Sequence, residues 1–291
     1  MSETEELFGG DVIILNRIFM KLAAKHMNEM PTNTGANNFE FTENILDVAN
    51  VLLDSRIAWR EINNITVRHK CASDLLANID HISYLCLVSL PPLDDKMKSF
   101  NFSNIHTLLA YVPKTAVGAT CFSFQSGSIC VPDEILSSVQ PDMVPCIATE
   151  VNIRNLRMGA SDEQTSKENQ VTLIGLSLAN GTEISIPRTK SPVVINFKHD
   201  EYIHFDSQFS CAFWDLKMSS WSRRGCFFIE DKSSMTNTFC ECFHLTNFGI
   251  IMDFTRNADP FDDFLNTFST ATLIMSMMFI FATEILLHYF R

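Results

Sequence analysis

The chain has 291 residues, 46% of them apolar, and a formal net charge of -12. So much apolar material can build a sizeable core, and the acidic balance excludes an electrostatic nucleic-acid binder, which depends on clustered Lys and Arg. Nine cysteines together with sequons at Asn64, Asn101 and Asn180 point to an oxidising, secretory route with glycosylation.

The opening, MSETEELFGGDVIIL, is acidic and lacks the basic and apolar regions of a signal peptide, so further sequence upstream is expected. Helical spacing follows in Val12, Leu15, Ile18, Phe19, Leu22 and His26, with Asp11 as the N-cap. It recurs in Ile45, Val48, Ala49 and Leu52, and in Leu75, Leu76, Ile79, Ile82 and Leu85. Residues 1–95 therefore read as a helical subdomain, ended by PPLDD at 91–95. Short β-rich runs at 117–124, 171–178 and 193–197 make residues 96–257 a β-sandwich subdomain, so the expected fold class is α+β. Residues 161–169 have almost nothing to bury and read as an exposed loop. No internal repeat is evident.

A linker at 258–267 leads to residues 268–290, which are apolar and long enough for a transmembrane helix, about 20 residues being needed. Glu284 is its one acid, at a cost of about 3 kcal/mol near a bilayer centre and less towards an end. Asp253, Asp259, Asp262 and Asp263 ahead of the span and Arg291 after it favour an extracellular N-terminal side at the cell membrane.

The stretch CECFHLTNFGIIMDF, 240–254, carries the chemistry. In an extended strand Cys240, Cys242, His244 and Thr246 share a face, which sets an imidazole beside a hydroxyl. The Leu245 carbonyl lies immediately N-terminal to Thr246, the arrangement for an intramolecular N-to-O acyl shift. Neutral His244 could take the hydroxyl proton, and water would hydrolyse the resulting ester. The amide is a poor electrophile, so the fold would have to strain the bond and stabilise the oxyanion. A histidine with a structural role is the plain alternative. Zinc on Cys240, Cys242 and His244 is disfavoured, because C-x-C-x-H is tighter than the usual ligand spacing and an oxidising compartment favours disulfides. No metal or cofactor is expected.

The wider pattern, CAFWDLKMSSWSRRGC at 211–226 followed by CECFHLTNF, resembles the GPS proteolysis-site motif that ends the GAIN domain of adhesion G-protein-coupled receptors. The matching positions are Cys211, Trp214, Trp221, Gly225, Cys226, Cys240, Cys242, His244, Leu245 and Thr246, within a motif at 208–253. Residues 7–19, 44–62 and 191–199 are similar to latrophilin-like GAIN domains. The resemblance implies that Cys211 pairs with Cys240 and Cys226 with Cys242, that His244 is the general base, and that Thr246 is the nucleophile of a single-turnover cut after Leu245, with no separate substrate. It also implies that the C-terminal fragment stays bound non-covalently and begins with a tethered agonist, Thr246, Asn247, Phe248, Gly249, Ile250, Ile251 and Met252.

An extracellular protein ligand of unspecified class is expected, and a heterotrimeric G protein only for a full seven-helix receptor, of which one span is present. Phe243 departs from the family's small polar residue, and Glu284 is unlike its first membrane span. In the strand, Phe248, Ile250 and Met252 share a face, with Asn247 and Ile251 on the other, so Asn247 reads as the milder position. Cys71, Cys86, Cys121, Cys130 and Cys146 are odd in number, which leaves at least one free thiol, expected in the core. The alternative is a non-cleaving interaction module on a single-pass anchor.

Overall fold

The computed structural model describes residues 7–29, 35–90, 97–114, 118–138, 142–154, 170–178, 191–199, 208–253 and 260–290. The expected loop at 161–169 and the sequon at Asn180 lie outside the described residues. The chain divides into two compact units, the first running to Ile251 apart from 204–208, the second carrying the C-terminal helix.

Four helices come first: α1 (Gly9–Glu29), α2 (Gly35–Asp54), α3 (Arg56–Glu61) and α4 (Ile65–Ser89). Asp11, expected as the cap of α1, instead sits in its first turn, where its carboxylate accepts from the Phe8 N–H at 2.9 Å. A carboxylate there still satisfies an orphan donor and complements the helix dipole. The buried face of α1 is Val12, Asn16 and Phe19, whereas Ile18 and Leu22 are 40% and 39% exposed. The apolar stripe predicted from spacing was too wide, because Ile14, Ile18 and Leu22 follow one another along a neighbouring face. Asn64 caps α4, its Oδ1 accepting from the Thr66 and Val67 N–H groups at 3.0 and 3.2 Å. Both Asn64 and Asn101 are exposed.

The strands are β1 (Lys98–Asn101), β2 (Ile105–Pro113), β3 (Ala119–Phe124), β4 (Gly127–Pro132), β5 (Met143–Arg154), β6 (Gln170–Leu178), β7 (Val193–Lys198), β8 (Gln208–Asp215), β9 (Ser220–Ser222), β10 (Cys226–Phe228), β11 (Asn237–Cys242) and β12 (Asn247–Asp253), with a short helix, α5 (Asp133–Leu136), after β4. They form a seven-stranded sheet, β1-β2-β5-β6-β12-β8-β9, and a five-stranded sheet, β10-β11-β7-β4-β3. Alternation along the strands assigns the two faces. Leu108, Ala148, Ile174 and Phe248 join Phe122, Ile129, Ile195 and Phe197 in a core between the sheets. Ile105, Leu109, Ile147, Val151 and Leu173 point the other way and join Leu75, Ile79 and Ile82 of α4. The seven-stranded sheet is thus the shared wall of two cores, and the helices and sandwich form one packed unit.

Cys121 and Cys130, left unassigned by sequence, are opposite each other in the β3–β4 hairpin and form a disulfide. Cys71, Cys86 and Cys146 are free and buried. Burial pushes all three thiols up, Cys146 to about 12, so they are inert packing groups.

The second unit holds α6 (Pro260–Tyr289), which takes up most of the segment expected as a linker at 258–267. Proline is at home in a first helical turn, since its missing N–H would have no intrahelical partner there. Within α6, Thr267–Tyr289 is 23 residues long, has a mean hydropathy of 1.9 and buries none of its length in the protein, so it is long and apolar enough to cross a membrane.

Candidate functional site

β11 and β12 follow each other in sequence but belong to different sheets. The continuous strand expected from Cys240 to Thr246 therefore stops at Cys242, and residues 243–246 carry the chain from one sheet to the other. Both ends of this crossing are fixed. Upstream, β11 is bound to β8 by Cys211–Cys240 and to β10 by Cys226–Cys242, the latter pair lying directly opposite in register. Closing loops of this size with a disulfide contributes about 3 kcal/mol each against unfolding. The Phe243 N–H donates to the Gly225 carbonyl at 2.9 Å, and the Leu176 N–H donates to the Thr246 carbonyl at 3.3 Å. Downstream, Asn247 and Phe248 pair with Gly175 and Ile174 of β6.

The Leu245–Thr246 bond lies inside this clamp. Leu245 is buried in the inter-sheet core, and Thr246 is half-buried. His244 is buried, its ring edge-on to Phe213 with centroids 4.3 Å apart and tilted against Phe248 at 5.4 Å. Two aromatic neighbours limit the orientations the imidazole can take. Gly225 beside His244 has a φ of 76°, a left-handed conformation that a glycine adopts without strain. Phe243, where the resemblance expected a small polar residue, is half-buried and edge-on to the exposed Phe227 at 6.1 Å.

The motif tryptophans reach away from the cut, towards the helices. Trp214 is fully buried, donates Nε1–H to Ser73 Oγ of α4 at 2.8 Å, and meets Trp221 edge-on at 5.5 Å. Trp221 in turn covers Gly249 of β12, where a Cβ would lie 2.8 Å from its Cη2 and 3.1 Å from Leu173 Cδ2. A glycine is required there by close approach.

Along the strand expected to carry the agonist, the described side chains from Asn247 to Ile251 alternate between two faces. Phe248 is 1% exposed in the inter-sheet core, and Ile250 packs against the same core. Ile251 is half-buried, and the side chain of Met252 lies outside the described set. Asn247, expected as the milder position, is 4% exposed, with Nδ2 donating to Asp80 Oδ2 of α4 at 3.4 Å. The helical layer covers this face, which a strand pattern by itself does not reveal. Sequence reasoning also missed Asp80 and Gly175. The available signals were an acid on a helix face between Leu76 and Ser83 and a lone glycine inside VTLIGLSL.

Helices packed on a two-sheet sandwich, with a doubly disulfide-bound crossing at His-Leu-Thr, define a GAIN-type fold with its proteolysis-site motif. The family model described as GPS, GAIN subdomain B, matches residues 88–256, and the chain belongs to that family. It is the GAIN and GPS region of an adhesion-receptor type. Among similar proteins, the rat adhesion G-protein coupled receptor G2 is 28% identical over 158 residues, which covers 53% of this chain and 14% of that receptor. Latrophilin Cirl of Drosophila ananassae is 20% identical over 296 residues, 87% of this chain and 17% of the relative. The chain therefore spans under a fifth of the length of either. The solved extracellular region of zebrafish Gpr126/Adgrg6 is 13% identical, with a TM-score of 0.48 over 82% of this chain and 35% of that one.

Proposed function

We propose that the chain is a self-cleaving receptor ectodomain that retains its C-terminal fragment. In the reaction, Thr246 Oγ attacks the Leu245 carbonyl carbon while His244 takes the hydroxyl proton. The Leu245–Thr246 C–N bond then breaks, the proton passes to the departing nitrogen, and an ester on Thr246 remains. Water adds to the ester, releasing the Leu245 carboxylate and restoring the Thr246 hydroxyl. The chain acts once on itself, and so is not an enzyme in the turnover sense.

The observation that carries this reading is the change of sheet between Cys242 and Asn247. The bond in question belongs to neither sheet, while the disulfides hold the chain before it and the β6 pairing holds the chain after it. A cut there removes no strand from either sheet. β12 remains as an inner strand between β6 and β8, and Phe248 remains buried. Burying such a side chain contributes about 1.5 to 3 kcal/mol, which slows release. The peptide from Thr246 to Met252 would then be the tethered agonist, with Thr267–Tyr289 as the membrane anchor and the first unit on the extracellular side. Coupling to a heterotrimeric G protein would belong to a longer, seven-helix receptor.

Intact mass and N-terminal sequencing of the protein, unfolded and reduced, test the reaction. Two fragments are expected, one starting at Thr246, and Thr246→Ala should give a single uncut chain. His244→Ala should slow cleavage about 10²- to 10⁴-fold. Two fragments from Thr246→Ala would overturn the acyl shift.

A further inference from the structure

α4 meets the helix-facing side of the seven-stranded sheet through polar contacts spaced seven residues apart. Ser73 Oγ accepts from Trp214 of β8, Asp80 Oδ2 accepts from Asn247 of β12, and the Leu87 carbonyl accepts from the Tyr111 hydroxyl of β2 at 3.0 Å. Seven residues are almost two helical turns, about 10 Å of rise, so all three sit on one stripe of the helix. The middle contact differs from its neighbours because it lands on β12, which lies beyond the Leu245–Thr246 bond.

Space for Asn247 is built into the sheet. Thr107, Thr149, Gly175 and Asn247 stand opposite one another in a single row across β2, β5, β6 and β12. A Cβ at Gly175 would collide with Asn247 Oδ1 and approach Thr149 Oγ1 to 3.0 Å. Only a glycine leaves room for the amide. A buried amide costs free energy unless it is hydrogen-bonded, and the partner supplied here is a carboxylate from another layer of the molecule. Burial pushes the Asp80 carboxyl up to about 7, opposed by the Asn247 hydrogen bond.

We propose that Asp80 is a latch residue: through Asn247 it ties the helical subdomain directly to β12, so that α4 as well as the sandwich holds the peptide beginning at Thr246. The role in fragment retention rests on the cleavage reading above, but the contact itself exists in the uncut chain. Phe248 secures one face of the strand and the Asp80–Asn247 pair the other. A displacement of α4 away from the sheet therefore loosens β12 from the helical side first.

Amide hydrogen exchange on the full chain in detergent, in a Thr246→Ala background, isolates the latch from cleavage. Asp80→Ala should speed exchange of the β12 amides about tenfold, the scale of one net hydrogen bond, with β7 and β11 unchanged. Asp80→Asn should restore protection, since its amide oxygen can accept from Asn247. Adding Asn247→Ala to Asp80→Ala should produce little further change, because the two side chains act as a pair. If Asp80→Ala does not fold, Asn247→Ala alone carries the same expectation for β12. Unchanged β12 exchange, equal acceleration in every strand, or additive effects would overturn the latch. An uncut wild-type chain would instead overturn the cleavage reading while leaving the exchange result to decide the latch.

Discussion

Among the helices and against the seven-stranded sheet, the buried side chains include Asn16, Ser73, Asn78, Ser83, Thr107, Thr149 and Asn247. Between the two sheets they are mostly apolar, Glu150, Thr238 and His244 apart, with the paired cysteines Cys211, Cys240, Cys226 and Cys242 among them. The inter-sheet core is held by apolar area and covalent bonds, which are insensitive to small displacements. The helix-facing core depends in part on directional hydrogen bonds, which fail over a fraction of an ångström. β12 belongs to both, through Phe248 on one side and Asn247 on the other. Its retention therefore has a strong, non-specific part and a weaker, geometry-dependent part.

The largest expected effect tests the first part. Phe248→Ala should cost about 3 to 5 kcal/mol, because it removes a buried ring from a core closed by disulfides that limit collapse around the gap. With cleavage as proposed, co-precipitation of the two fragments through a urea series should show earlier separation than in the wild type. If retention were unchanged, the inter-sheet core would not be the main hold on β12.

Gly175→Ala should come next, at about 1 to 3 kcal/mol, through overpacking against the Asn247 amide. The comparison becomes sharper in the double variant Gly175→Ala with Asn247→Ala, in which the obstructing amide is gone and part of the loss should be recovered. Thermal unfolding of the three variants reads this directly, and strict additivity would show that Gly175 makes no room for Asn247.

A third effect is a pH dependence, visible as a difference between two stability curves. Asp80 has its carboxyl raised from 3.8 to about 7 by burial, the Asn247 hydrogen bond opposing that rise. Between these values the folded protein keeps a proton that the unfolded chain has lost, so its contribution is greatest below about 4, declines as pH rises, and levels off above about 7. Relative to Asp80→Asn, wild type should lose stability across that window as pH increases. A flat difference would mean that Asp80 is ionised throughout and that the helix-facing core contains a permanent charge.

The helical first region, the sandwich strands, the apolar C-terminal helix and the cysteine-rich motif leading to His244-Leu245-Thr246 were legible in the sequence, since each leaves a local pattern of spacing or composition. The pairing of Cys121 with Cys130 was not legible, because hairpin register is set by a turn whose geometry the residues only partly specify. The start of α6 at Pro260 was missed for a different reason: the polar residues ahead of an apolar span suit a linker and a first helical turn equally well.

The sequence by itself determined which residues could do chemistry and which faces of each element are apolar, because side-chain type and periodicity are local properties of the chain. Tertiary structure alone decided that β11 and β12 part into different sheets around Leu245–Thr246, and that the polar face of β12 is closed by α4 with Asp80 set against Asn247. Asp80 and Asn247 are 167 residues apart. A contact at that separation exists only because the packing of the helices on the sheet repays the entropy of closing so long a loop, and no local pattern records that balance.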